Sequence, residues 1–243
     1  MTGAAARASC LSSSATAFYA RLADAGYSPA VIADVGASNG AWSVTVAEHF
    51  PRAAFHLIEP LSRARDDYSR VLAWAMREHG SFVLHECAAG EADGEADLWL
   101  HPEGVGSTLV RASARPGERR RVPVRTLDSL VGSGDMPQPS LVKIDVEGAE
   151  LAVIRGGGRT IGNADIVQAE VLLRPKAGGG EPLAHEVIEA MMCLGFVLVQ
   201  IAGSWRRPDG ELLLADAMFA HRRAVGRFAA AGEPAWEPQE GEG

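Results

Sequence analysis

The chain has 243 residues, 47% of them hydrophobic, enough for one large domain to bury most of its surface in a single core. A formal net charge of −8 argues against nucleic acid or an anionic membrane face as partner, and no run approaches the roughly 18 apolar residues of a membrane span. The three cysteines, Cys10, Cys87 and Cys193, form no CxxC pair, so neither a thiolate zinc site nor a disulfide framework is expected.

Ser12, Ser13, Ser14 and Thr16 interrupt the N-terminal stretch, so no signal peptide is expected there. Residues 16–25 read as a short helix ended by Gly26 and Pro29. Val31–Val35 is a short apolar run bounded by turn residues, the pattern of a buried strand. A helical period over 40–50 stops at Pro51, and Ala54–Ile58 is the next strand, ending at Glu59 and Pro60. A long helix over 61–79 and a strand over 82–86 follow. The rhythm then changes: 95–100 and 121–125 alternate around a Gly- and Arg-rich loop, a β excursion before the strand Leu141–Ile144. A helix over 149–155 is closed by Gly156, Gly157 and Gly158, and a fifth parallel strand covers 166–171. A helix over 182–194 has Pro near its start and Gly195 past its end, and 196–201 with 212–220 reads as a closing antiparallel pair. Alternating strands and helices predict a mostly parallel sheet covered on both faces. Cys87 and Cys193 lie in apolar stretches and read as buried, unreactive thiols in a reducing cytoplasm.

The first strand ends in Asp34, followed by Gly36, Ser38, Asn39 and Gly40. Glycines there allow a tight turn and the close approach of a ligand. This is not the GxGxxG of a dinucleotide fold, which disfavours a nucleotide-dependent oxidoreductase, and Asp34 would repel a pyrophosphate. The second strand ends in Glu59, placed to accept hydrogen bonds from ribose hydroxyls. The plainer reading is a tight turn plus a surface glutamate. Both acids and the glycines together describe a site for a nucleoside with a cationic end, which is S-adenosylmethionine.

DVGASNG, the IEP at Ile58, Glu59 and Pro60, RTLDSL from Arg125, KIDVEGAE from Lys143 and DAMF from Asp216 resemble the FkbM-type family of S-adenosylmethionine-dependent methyltransferases. Residues 31–220 carry the resemblance; Ser38, where Asn is common, and the Arg-rich loop depart from it. The resemblance implies a Rossmann-like class I methyltransferase fold. Its sheet would have seven strands, mostly parallel with one antiparallel, helices on both faces and the β excursion before strand four. The implied layout is an N-terminal helical segment over 1–29, a methyltransferase domain over 30–223 and a disordered acidic tail over 224–243.

The resemblance also implies methyl transfer to a hydroxyl of a sugar, polyketide or other secondary metabolite. Asp34, Gly36, Ser38, Gly40, Glu59 and Asp145 are then expected on the cofactor. Asp145, at the fourth strand's tip, is the first candidate for taking the hydroxyl proton, with Glu170 beside it on the fifth strand. The same pair could hold Mg²⁺, or Asp145 could orient substrate while a His acts as base; His185 could face the crevice, although a lone helical His is more often structural. Glu147 divides between a catalytic role and the helix dipole, while Glu150 reads as helix electrostatics. Arg111, Arg115, Arg119, Arg120, Arg121 and Arg125 read either as a solvated hairpin or as a lid for an anionic acceptor, with Ser107 and Thr108 just before it. An N-methyltransferase acting on an amine and a non-catalytic cofactor-binding module are the alternatives. The acceptor and the oligomeric state, a homo-oligomer included, stay open.

Overall fold

The computed structural model describes residues 13–62, 66–100, 107, 109, 118–175 and 179–229. Helix α1 (Ser13–Asp24) leads into β1 (Val31–Val35), α2 (Ala41–Ala47), β2 (Ala54–Ile58), α3 (Asp66–Glu78) and β3 (Phe82–His85). A small sheet follows from β4 (Ala88–Ala89), β5 (Gly94–Trp99) and β6 (Arg119–Arg125). The chain then forms α4 (Leu127–Gly132), β7 (Leu141–Ile144), α5 (Glu150–Gly156), α6 (Gly158–Gly162) and β8 (Ile166–Leu172). It closes with α7 (Ala184–Cys193), β9 (Phe196–Arg206), β10 (Leu212–His221) and α8 (Arg222–Ala229).

The main sheet has seven strands in the order β3-β2-β1-β7-β8-β10-β9. Strand β10 runs antiparallel to both neighbours, and the remaining pairs are parallel. All residues of the central strands β1 and β7 are buried, as strands covered on both faces must be. Alternate side chains feed two cores. Ala33, Val35, Val142 and Ile144 meet α4 to α7 on one face. Ile32, Phe55, Leu57 and Leu141 meet α1, α2 and α3 on the other. Sheet order reverses between β1 and β7, and this switch point opens a crevice at the strands' carboxyl ends.

The β excursion is an antiparallel pair, β5 with β6, extended by the two-residue β4 and closed over Leu61, Ala88, Leu98, Val122 and Val124. Two helices depart from expectation. Thr126 caps α4, its hydroxyl accepting from Ser129 N. The glycines close α5 at Gly156 and Gly157 as expected, but Gly158 then opens a further helix, α6, whose first turn Asp128 holds by accepting from Arg159 N, Thr160 N and the Thr160 hydroxyl. The C-terminal stretch expected to be disordered from 224 begins as the helix α8, with Ala224 buried; residues from 230 on lie outside the described residues. Cys87 is buried as expected, and burial pushes its thiol up to about 11, but Cys193 is exposed. Among the described residues no helix is long and apolar enough to cross a membrane.

Candidate active site

The β1 loop folds back over the end of β2: Gly36 N and Ala37 N both donate to Ile58 O, at 3.0 and 3.2 Å. Gly36 has φ 79°, and a Cβ on it would lie 1.9 Å from the Asp145 carbonyl oxygen. Glycine is therefore required where the β1 and β7 loops cross, not only for ligand approach. Ser38 sits in the left-handed region at φ 52°, a conformation costly for a residue with a Cβ. Glu59 holds it there, accepting from Ser38 N and from Leu61 N, each at 2.8 Å. Burial pushes Glu59 up to about 7, against the pull of those two N–H groups.

Asp34 is fully buried beneath this loop. It accepts from the Ser43 hydroxyl at 2.7 Å and pairs with Lys143 Nζ at 3.3 Å. Lys143 also reaches Asp145 Oδ2 at 3.2 Å and the Gly36 carbonyl at 3.4 Å, over the Trp42 ring. The positive charge that Asp34 meets within the chain is that of Lys143. A lysine inside the fully buried strand LVKI was the available signal, since such a residue demands a counter-ion.

The β7 loop carries the second half of the site. Asp145 N donates to Val35 O, which fixes the loop beside β1. Glu147 takes φ 54° and Gly148 φ 102°. Glu150 is buried and accepts from Val146 N and Gly148 N, at 3.3 and 3.0 Å. It is structural, as expected, but it works by stapling the loop rather than through the helix dipole alone. Burial pushes it up to about 7. One carboxylate oxygen from each of Asp145, Glu147 and Glu170 lies within 4.8 Å of the other two, and all three residues are half-buried. The fold thus brings Glu147 into the cluster expected from Asp145 and Glu170.

The sequence reading missed the floor of this site. Gln168 donates to Asp216 at 3.0 Å and accepts from Trp42 Nε1 and the Tyr19 hydroxyl. Burial raises Asp216 above the ordinary range, helped by the charge on Asp145. His185 is exposed on α7. Beside the acids, a cavity of about 700 Å³ opens between β5, the first turn of α5 and residues 180–186, with Gly148 in its wall. It does not reach Asp34 or Glu59. Of the basic stretch, Arg119 pairs with Asp97, and Arg121 with Glu95 and Asp97, across the β5–β6 ladder. Arg125 pairs with Asp93 and Asp135. These pairs match the solvated-hairpin reading; Arg111, Arg115 and Thr108 lie outside the described residues.

Residues 34–198 match the family model described as the methyltransferase FkbM domain. The chain belongs to this family. It is a class I S-adenosylmethionine-dependent methyltransferase. Its family segment begins at Asp34 and takes in both crossing loops and all three clustered acids. The chain is 21% identical over 202 residues to Methyltransferase 1 of Beauveria bassiana, covering 75% of this chain and 78% of that relative. It is 29% identical over 108 residues to the hexuronic acid methyltransferase AglP of Haloferax volcanii, a match spanning 44% of this chain and 43% of that one. In fold it is similar to the magnesium protoporphyrin IX methyltransferase of Synechocystis, with TM-score 0.50 and 9% identity over 84% of this chain and 80% of that one.

Proposed function

We propose that this enzyme moves the methyl group of S-adenosylmethionine to a hydroxyl of a small molecule, a sugar, polyketide or other secondary metabolite. The convergence of Asp145, Glu147 and Glu170 on adjacent strand tips carries this reading. The acceptor oxygen attacks the methyl carbon as the carbon–sulfur bond breaks, and the sulfur leaves neutral. An alcohol is a weak nucleophile, so a group must take its proton. Asp145, held by Lys143 and still 30% exposed at its side chain, is the acceptor of that proton, with Glu147 and Glu170 orienting the hydroxyl. Alignment of oxygen, methyl and sulfur supplies much of the remaining acceleration.

The cofactor lies across the β1 loop, against Gly36, Ser38 and Gly40. Glu59 accepts the ribose hydroxyls, because a carboxylate has about four lone-pair sites and two N–H groups leave room. Asp34 acts from below, by fixing the Lys143 that holds Asp145.

A hard divalent cation such as Mg²⁺ fits the same donors, three carboxylate oxygens within 4.8 Å. Asp145, Glu147 and Glu170 would hold it, and when bound it would make the hydroxyl more acidic. Methyl transfer to hydroxylated acceptors, followed before and after EDTA treatment, separates the two routes: activity lost and restored by Mg²⁺ supports the cation, and full activity leaves Asp145 as the base. Asp145→Asn should lower kcat by about 10²–10⁴ with cofactor affinity nearly retained. An unchanged kcat, or transfer to amines alone, would overturn the assignment.

A further inference from the structure

We propose that Asp216 is a specificity-determining residue, which accepts a hydrogen bond from a second hydroxyl of the methyl acceptor, beside the one that is methylated. This rests on the methyl-transfer reading above and adds to it what the acceptor must carry.

The first observation is how Asp216 is held. The residue is only 6% exposed. Its Oδ1 accepts from Gln168 Nε2 at 3.0 Å. That amide is fixed in orientation, because Gln168 Oε1 already accepts from Trp42 Nε1 and from the Tyr19 hydroxyl. The carboxylate is thus pinned through one oxygen. The other, Oδ2, has no donor among the described residues. The buried side-chain atoms without a partner there are His49 Nε2 and Glu181 Oε2. Asp216 Oδ2 is not one of them, so it keeps accessible surface. A carboxylate oxygen that is mostly buried, open at one side and unmet calls for a donor from outside the chain.

The second observation is where that oxygen opens. Asp216 on β10 stands directly opposite Glu170 on β8, so the two side chains share a face. Glu170 in turn brings a carboxylate oxygen within 4.8 Å of one from Asp145. The three residues form one row across the adjacent strands β7, β8 and β10. Two strand spacings put the backbone of Asp216 about 10 Å from that of Asp145. Gln168 lies two residues back along β8 and draws Oδ1 into the sheet, which leaves Oδ2 towards the strand tips. A small ring with one hydroxyl on Asp145 can bring another to Asp216 across that distance.

The third observation is that the fold has no use for a carboxylate here. Gln168 needs one acceptor, and the amide oxygen of an asparagine would serve. Like charges directly opposite each other weaken an antiparallel pair, and Asp216 faces Glu170. A hydroxyl suits the free oxygen, since it donates one bond and brings no further negative charge; an anion would be repelled. The hydroxyl held by Asp216 lies beyond Glu170, and the one on Asp145 is left as the nucleophile.

The test uses the full chain with S-adenosylhomocysteine bound, and calorimetry with a methyl hexopyranoside and its four monodeoxy forms. Removing one particular hydroxyl should weaken binding about tenfold or more, as expected for a hydrogen bond to a charged group. Asp216→Asn keeps the acceptor for Gln168 and turns Oδ2 into a donor. It should bind the parent sugar about tenfold more weakly and lose most of the penalty for that one hydroxyl, while the penalties for the others remain. Its melting temperature should be no lower than the parent's, which shows that the variant is folded. No binding of the sugar, equal binding of all the deoxy forms, or a set of penalties unchanged in Asp216→Asn would overturn the proposal. Transfer from a labelled methyl donor, with the methylated position mapped, separates the two levels. Methyl on the hydroxyl that Asp216 reads overturns the assignment. A sugar bound through Asp216 and never methylated counts against the hydroxyl-transfer reading and leaves the Asp216 contact standing.

Discussion

Glu59 and Glu150 hold the two crossing loops with carboxylates that burial pushes up to about 7. Glu59 must be ionised to accept two ribose hydroxyls fully. Cofactor binding should then release a proton, and the dissociation constant should fall as pH rises through about 7. Glu59→Gln should bind more weakly and lose that dependence, as calorimetry across pH 5.5–8.5 would show; a wild-type affinity flat with pH would refute the role. Glu150 makes a different prediction, about stability. Its ordinary value is 4.5, so between there and about 7 the folded protein keeps a proton that the unfolded chain has lost. Its contribution to stability therefore falls as pH rises across that window. Glutamine mimics the protonated acid. The melting temperature of Glu150→Gln relative to the parent should be higher at pH 8 than at pH 5, and the opposite slope would mean that the ionised carboxylate is the form the fold prefers.

At the scale of elements, the two loops meet at one point, and the residue there is Gly36. Alanine at 36 meets both a positive φ and a carbonyl oxygen 1.9 Å from its Cβ. Gly26 offers a matched comparison: φ is 81°, yet nothing lies within 4 Å of a Cβ there. Gly26→Ala should cost about 1 kcal/mol, the penalty of the left-handed region alone. Gly36→Ala should cost several kcal/mol and weaken cofactor binding, because the β1 and β7 loops must separate. Equal costs in chemical denaturation would show that the crossing is not tight. The strands that place these loops were legible in the sequence because burial on both faces leaves a short run that is apolar but for one charged residue, Asp34 in Val31–Val35 and Lys143 in Leu141–Ile144. The acids at their tips were legible for the same reason, standing where such runs stop. What was not legible depends on partners far along the chain. Helix α6 opens on glycine because Asp128, 31 residues before Arg159, caps it. Lys143 finds Asp34 across 109 residues, an internal ion pair that joins β7 to β1. Local pattern says at most that a lysine inside LVKI needs a counter-ion, not which residue supplies it.

At the scale of the whole molecule, the N-terminal helix proves to be part of the core and of the site. Tyr19 on α1 is fully buried and packs edge-on against the rings of Phe18, Trp42 and Phe50. Its hydroxyl donates to Gln168, which in turn binds Trp42 and Asp216, so α1 is tied to α2, β8 and β10 through one buried polar network. Burial of this kind makes α1 one cooperative unit with the sheet rather than a segment laid beside it. Truncating a buried aromatic side chain to alanine costs about 3–5 kcal/mol. In a chain of this length each kcal/mol moves the melting temperature by roughly 2–4 °C. Tyr19→Ala should therefore lower the single calorimetric transition by about 6–20 °C and keep it single. Tyr19→Phe keeps the packing and removes only the hydroxyl, so it should cost about 1 kcal/mol, a shift of a few degrees. A main transition left in place by Tyr19→Ala, with a small separate one at lower temperature, would mean that α1 unfolds by itself and that the floor of the site does not depend on it.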